Sequence, residues 1–117
     1  MVIALGTNDF GAGRASVRAW LARARALLGH RRIIWVNLCL DAQAVPRLAA
    51  YRSVNNALDA FAPRYDVHVA DWCRYAHRYD VRPGSDGIHY TPAGYRKRAS
   101  FYAAAVAGTL GGRRPPG

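Results

Sequence analysis

A parallel α/β sheet of about three strands, with helices over both faces in three layers, is the fold the sequence predicts. Two observations carry it. Three short, nearly continuous apolar runs lie in "VIAL", "RIIWVNL" and "YDVHVAD", the pattern of strands buried on both faces rather than on one. Segments with a helical period separate and follow them, and strand–helix alternation builds parallel sheets with right-handed crossovers.

The first strand is read at residues 2–5, ending at Gly6, and the following "GTNDFGAG" is rich in turn formers. From Arg14 a helix presents Val17, Trp20, Leu21, Ala24, Leu27 and Leu28 on one face, with Arg18 and Arg25 off it and Gly29 as its stop. The second strand spans Ile33 to Leu38. A second helix runs from Pro46, tolerated in a first turn, to Ala62; Leu48, Tyr51, Asn55, Leu58 and Phe61 share its face, and Pro63 ends it. The third strand covers Tyr65 to Ala70, and a short helix follows at 72–79. The last helix has the clearest start: Thr91 can cap the free amides and Pro92 takes the first helical position. Tyr95, Ala99, Tyr102, Ala103 and Val106 form its predicted apolar face.

The length of 117 residues suits one domain, read at 1–110, followed by a flexible basic Pro/Gly tail at 111–117. Three strands are few for an open sheet, which commonly has about four to six. The chain therefore reads as the later part of a larger unit, or as a minimal remnant of one. The first strand is then expected to lie exposed on one edge or to pair with another chain. No run approaches a membrane span, and no signal peptide is visible in "MVIAL"; location is left open.

The formal charge is +10, with sixteen of the seventeen basic residues arginine and no glutamate. The arginines are scattered through "RASVRAW", "RAR", "HRR" and "YRKR" rather than gathered, the pattern of solvated helix faces, so nucleic acid is not an expected partner. His68 and His77 read as polar positions on a strand and a short helix, and no group of His, Cys and carboxylate has metal-ligand spacing. His30 suits a helix C-terminus. No metal and no organic cofactor is expected. Cys39 and Cys73 each follow a strand, and the strands should be neighbours. The sulfurs are either close enough to bond or belong to two unrelated half-buried thiols.

Chemistry concentrates in two loops. In an open parallel sheet the binding crevice lies beyond the carboxyl ends of the strands. "GTND", residues 6–9, follows the first strand, and "DGIH", residues 86–89, follows the third. Gly6 permits a sharp turn, and Asn8 offers an amide donor for a developing oxyanion. Asp86 is spaced to hold one nitrogen of the His89 imidazole, leaving the other free as a base. Each piece has a plainer use: Asn and Asp cap turns constantly, and His89 beside Tyr90 suits a packed polar position. Their order along the chain, with the pair directly before a well-capped helix, favours a site.

These two blocks resemble those of the SGNH (GDSL-like) esterases and acyltransferases. The family's Gly-x-Asn-Asp block is matched by Gly6, Thr7, Asn8 and Asp9, and its Asp-x-x-His block by Asp86, Gly87, Ile88 and His89. The resemblance covers nearly all of residues 1–107 and implies a partial SGNH, flavodoxin-like fold. It implies an oxyanion role for Asn8, supported by Gly6 and Asp9, and acid and base roles for Asp86 and His89. The wording around the blocks, "VIALGTND", "VADW" and "DGIHYTPAGYR", is similar to domains acting on acylated carbohydrates and cell-wall glycans, often extracytoplasmic. The family's serine block and its glycine block precede Gly-x-Asn-Asp, whereas five residues precede Gly6 here. Ser16, Ser53, Ser85 and Ser100 lie in no matching segment, and Ser85 lacks the strand-to-helix elbow. The expectation is a fragment or degenerate form of such an enzyme, inactive alone and completed by an N-terminal segment. The alternative is a non-catalytic binding or assembly domain that self-associates through its exposed sheet edge.

Overall fold

The structure, a computed structural model, describes residues 1–6, 13–39 and 45–110, the last stretch with side chains from 48 to 108. Three strands, β1 (Val2–Ile3), β2 (Ile33–Val36) and β3 (Val67–Ala70), form a parallel sheet in the order β1-β2-β3. Val2 pairs with Ile34, and Ile33 to Val36 pair with Val67 to Ala70. The helices are α1 (Arg14–Leu28), α2 (Val45–Phe61), α3 (Trp72–Arg78) and α4 (Pro92–Leu110). The predicted α/β class and three-layer arrangement are those observed.

Side chains alternate across a strand, and β2 uses both sides. Ile33 and Trp35 enter a core with Val17 and Leu21 of α1 and with Val54 and Leu58 of α2. Ile34 and Val36 enter a second core with Trp72, Ala76, Phe101 and Ala105 of α3 and α4. All four β2 residues are buried. The advance from β1 to β2 to β3 in one direction puts α1 and α2 on one face, as equal handedness of the two crossovers requires. α3 and α4 then cover the other.

The strands are shorter than the apolar runs: β1 ends at Ile3 rather than at residue 5, and for β2 and β3 the difference has a cause. Leu38 pairs with a side chain instead of a strand: its amide donates to Asn55 Oδ1 at 2.9 Å, and Asn55 Nδ2 donates to its carbonyl at 2.7 Å. Asn55 is thus on the inner face of α2, as predicted, because it completes the backbone pairing of the β2 exit. Ahead of β3, Ala62–Tyr65 form a 3-10 turn that Asp66 ends in the left-handed region at φ 53°. Pro63 therefore ends α2 but not the helical path.

Two helix faces differ from expectation. On α1, Leu27 is 68% exposed, whereas Arg25 is packed. The Arg25 guanidinium donates to the carbonyls of Tyr65, Gly29, Arg31 and Asp66, at 2.9, 2.5, 3.0 and 2.6 Å. That fork ties the end of α1 to the entrance of β3, and a planar guanidinium with five donors suits it. On α4 the buried positions are Gly94, Phe101 and Ala105, with Arg98, Tyr102 and Val106 partly covered, whereas Tyr95, Ala99 and Ala103 face solvent. An alanine-rich helix has a poorly marked face, and here the bulk of Phe101 chose it. Among the described helices none is long and apolar enough to cross a membrane.

Leu58, fully buried between the sheet and α1, and Leu27 make a matched pair. Leu58→Ala is expected to cost about 2–5 kcal/mol of stability, and Leu27→Ala within about 0.5 kcal/mol of nothing. Denaturant unfolding of both variants with the disulfide intact checks the assignment of the α1 face.

Candidate active site

The loop between α3 and α4 folds around one carboxylate. Asp86 Oδ1 accepts the backbone amides of Ile88 and His89, both at 2.8 Å, and Asp86 Oδ2 meets His89 Nδ1 at 2.5 Å. Gly87 makes this turn feasible, adopting φ 71° between the acid and its partners. Its amide donates to the Gly84 carbonyl, while the Gly84 amide donates to the His89 carbonyl. Thr91 Oγ1 then accepts the Gly94 amide at 3.2 Å, so α4 starts three residues beyond the histidine, as its sequence predicts.

The electrostatics follow from these contacts. The His89 side chain first, then the amides of Ile88 and His89, hold the Asp86 carboxyl down at about 2. The carboxylate is ionised across the physiological range and keeps Nδ1 as the engaged nitrogen. The His89 side chain is 74% exposed, and among the described residues its Nε2 has no hydrogen-bond partner. An imidazole oriented at Nδ1 by an anion and free at Nε2 can accept a proton from a hydroxyl and return it.

Aromatic side chains support the loop from beneath. Trp72 Nε1 donates to Tyr90 Oη at 3.0 Å, and Trp72 also packs against Tyr75 and Phe101. Burial pushes the Tyr90 hydroxyl above its ordinary range, which keeps it protonated. Arg98 lies over the rings of Trp72, Tyr90 and Tyr102 at 5.3–5.8 Å, where a guanidinium face gains cation–π attraction.

The loop reaches the carboxyl rim of the sheet. Ile88 and Tyr90 line a small cavity with Asn37, Leu38 and Cys39, the three residues that leave β2. Gly6 arrives at the same place from β1. It adopts φ 116°, and a Cβ there would stand 3.3 Å from Leu38 Cδ1, so glycine serves both the turn and the close approach. The ends of β1 and β2 and the Asp86–His89 loop therefore share one rim. Thr7, Asn8 and Asp9 lie outside the described residues. Ser16, Ser53, Ser85 and Ser100 are described, and none is hydrogen-bonded to His89.

Beside this rim stands a second cluster, in which the closer of the two cysteine readings holds and His77, expected as a plain polar position, joins the pair. Asn37 is buried between strand and helix: its Nδ2 donates to Asp71 Oδ1 at 2.9 Å, and its Oδ1 accepts the Cys73 amide at 3.1 Å. Asp71 also caps α3 by accepting the Arg74 amide. This network brings the Cys39 and Cys73 Cα atoms to 4.5 Å, and the two form a disulfide. His77 Nε2 lies 3.7 Å from Cys39 Sγ. The spacing of Cys73 and His77 by four on a helix was the available signal; Cys39 joins them only through the strand order. All three line a cleft of about 480 Å³ with Leu38, Tyr51 and Arg52. That cleft includes neither Asp86 nor His89, and adjoins their loop through Leu38, Cys39 and Tyr51.

A model of the GDSL-like lipase/acylhydrolase family matches residues 1–97. The chain belongs to this family. Its fold is also that of a lipase/acylhydrolase from Enterococcus faecalis, at a TM-score of 0.70 and 19% identity, over 85% of this chain and 56% of that one. The chain thus spans little more than half the length of that relative. No curated protein matches it. Family membership agrees with the resemblance carried by "GTND" and "DGIH", the second of which is the loop built around Asp86.

The Asp86 carboxyl provides a direct test. Its depressed value in the folded chain means its contribution to stability is complete above the unfolded value of about 3.9. It is lost as pH falls through about 2. A carbon-detected NMR titration should show Asp86 titrating near 2, and His89→Ala should move its midpoint upward, because the imidazole contact is the largest cause.

Proposed function

We propose that this chain supplies the acid–base pair and the oxyanion loop of an SGNH-type esterase or O-acyltransferase acting on acyl esters of carbohydrates or glycans. The observation that carries this reading is the Asp86–His89 pair, with Nδ1 bound to the carboxylate and the rest of the ring exposed on the sheet's carboxyl rim. Membership of the GDSL-like family supports it.

In the proposed reaction a serine hydroxyl attacks the ester carbonyl while His89 Nε2 takes its proton. Asp86 holds the ring and stabilises the imidazolium that forms. Asn8, with Gly6 turning the chain and Asp9 supporting the loop, would donate to the tetrahedral oxyanion. Collapse breaks the carbon–oxygen bond to the leaving alcohol, which His89 protonates, and an acyl-serine remains. Water attack on that acyl group gives hydrolysis; attack by a sugar hydroxyl gives transfer. His89 serves as base again in either case, and no metal or organic cofactor enters a step.

The serine is assigned to a complementary segment N-terminal to β1. Two features favour that side. β1 lies at the edge of the sheet, with only Val2 and Ile3 paired to β2. Leu5 beyond it is 61% exposed, so an added strand would find both free backbone groups and apolar surface.

Turnover of an activated acetyl ester tests the proposal. The 117-residue chain alone should be no faster than its His89→Ala variant. Joined to a serine-bearing segment of the family, it should gain saturable activity. Replacing either that serine or His89 by Ala should then remove at least about 10³-fold, with no further loss in the double variant, because both act on one pathway. Saturable turnover by the isolated chain, abolished by Ser85→Ala, would refute this assignment. Failure of the joined protein to gain activity, with His89→Ala inert, would favour a binding or assembly domain.

A further inference from the structure

The cluster at the exit of β2 does not depend on the esterase reading. Its three donors come from two elements: Cys39 follows β2, while Cys73 and His77 lie four apart on α3 and so share a face of that helix. One ligand atom from each lies within 4.8 Å of the others.

We infer that Cys39, Cys73 and His77, once the disulfide is reduced, form a Cys₂His site for a thiophilic metal ion, Zn²⁺ in particular, with a fourth position open to the adjoining cleft. Tetrahedral zinc with Zn–S of about 2.3 Å and Zn–N of about 2.0–2.1 Å sets its ligands about 3.8 Å apart for S···S and about 3.5 Å apart for S···N. Cys39 Sγ and His77 Nε2 already stand at 3.7 Å, so one edge of that tetrahedron is in place. The sulfurs, bonded to each other in the disulfide, need only separate to complete it.

The frame around the ligands does not rely on the sulfur–sulfur bond. Asn37 links β2 to α3 through Asp71 Oδ1 and the Cys73 amide, and β2 and β3 are paired along their whole length. Reduction therefore leaves the donors near one another. Two thiolates and an imidazole favour zinc over the hard cations that oxygen ligands select. The cleft of about 480 Å³ that all three residues line gives an ion access and gives a water or an anionic ligand room in the fourth position.

The chemistry balances. A thiol reductant delivers two electrons and two protons to the disulfide and leaves as its own disulfide. The two cysteine thiols then lose their protons to solvent as the ion binds. Disulfide and metal are mutually exclusive occupants of the same sulfurs, so the oxidised chain is the control for the reduced one.

Cobalt is the probe. Titrating Co²⁺ into the reduced full-length chain should give one ion bound per chain, with an ultraviolet thiolate-to-cobalt band and the visible bands of a tetrahedral site. Zn²⁺ should abolish both. The oxidised chain should bind at least 100-fold more weakly. Cys39→Ser and Cys73→Ser should each lose the thiolate intensity expected of two sulfurs. His77→Ala, an exposed position whose change spares the core, should weaken binding at least 10-fold while near-ultraviolet circular dichroism stays unchanged. Equal binding by reduced and oxidised chains would overturn the proposal, as would indifference to His77→Ala. So would a reduced chain that is folded but binds no cobalt. Loss of tertiary signal on reduction that metal does not restore would overturn it too, because the frame is required to survive.

Discussion

β2 is buried on both faces, and most of the molecule is arranged by that requirement. A strand with no solvent side must be covered twice, so α1 and α2 pack on Ile33 and Trp35 while α3 and α4 pack on Ile34 and Val36. Its backbone must be paired as well. β1 and β3 provide this along the strand and as far as the Asn37 amide, which donates to the Ala70 carbonyl, and at Leu38 the side chain of Asn55 takes over. An unpaired amide here would cost about 1–3 kcal/mol, and Asn55 on the inner face of α2 avoids that cost. The same exit residues form the rim against which Gly6 and the Asp86–His89 loop settle.

That loop is organised on a smaller scale and by different forces. One carboxylate collects a ring nitrogen and two amides within four residues, an arrangement encoded by local sequence. What tertiary structure adds is position: the Trp72–Tyr90 contact and the Thr91 cap hold the loop over the sheet. Among the described residues Arg98 contributes through its face over the rings of Trp72, Tyr90 and Tyr102. Together with Arg25, which is occupied by backbone carbonyls, it shows that part of the arginine excess is structural.

Local features were therefore the legible ones. The three strands, the cap at Thr91, the stop at Gly29 and the Asp86–His89 contact all follow from residues within a few positions of one another. The end of β2 is not legible locally because Leu38 is apolar like its predecessors, and only Asn55, on another element, shows that its pairing changes. The charge of Arg25 points to solvent, yet four carbonyls brought together by separate segments make it a packed residue. On α4, Ala99 and Ala103 carry too little bulk to declare a face. The Cys39, Cys73 and His77 cluster is non-local, needing the adjacency of β2 and β3 before its members are neighbours.

The division of labour between the two faces of the sheet also has an order in time. The α1–α2 face can close once β3 has been made, since its partners end at residue 70. Ile34, Val36 and Ala70 meet Trp72 and Ala76 of α3 next but wait for Phe101 and Ala105 of α4, so during synthesis from the amino end one side of the sheet stays only partly covered until α4 is made. Partly bare apolar sheet is open to misassociation. The helix that ends this exposure is the one that begins beside His89, so burial of the last core and placement of the histidine on the rim depend on the same element.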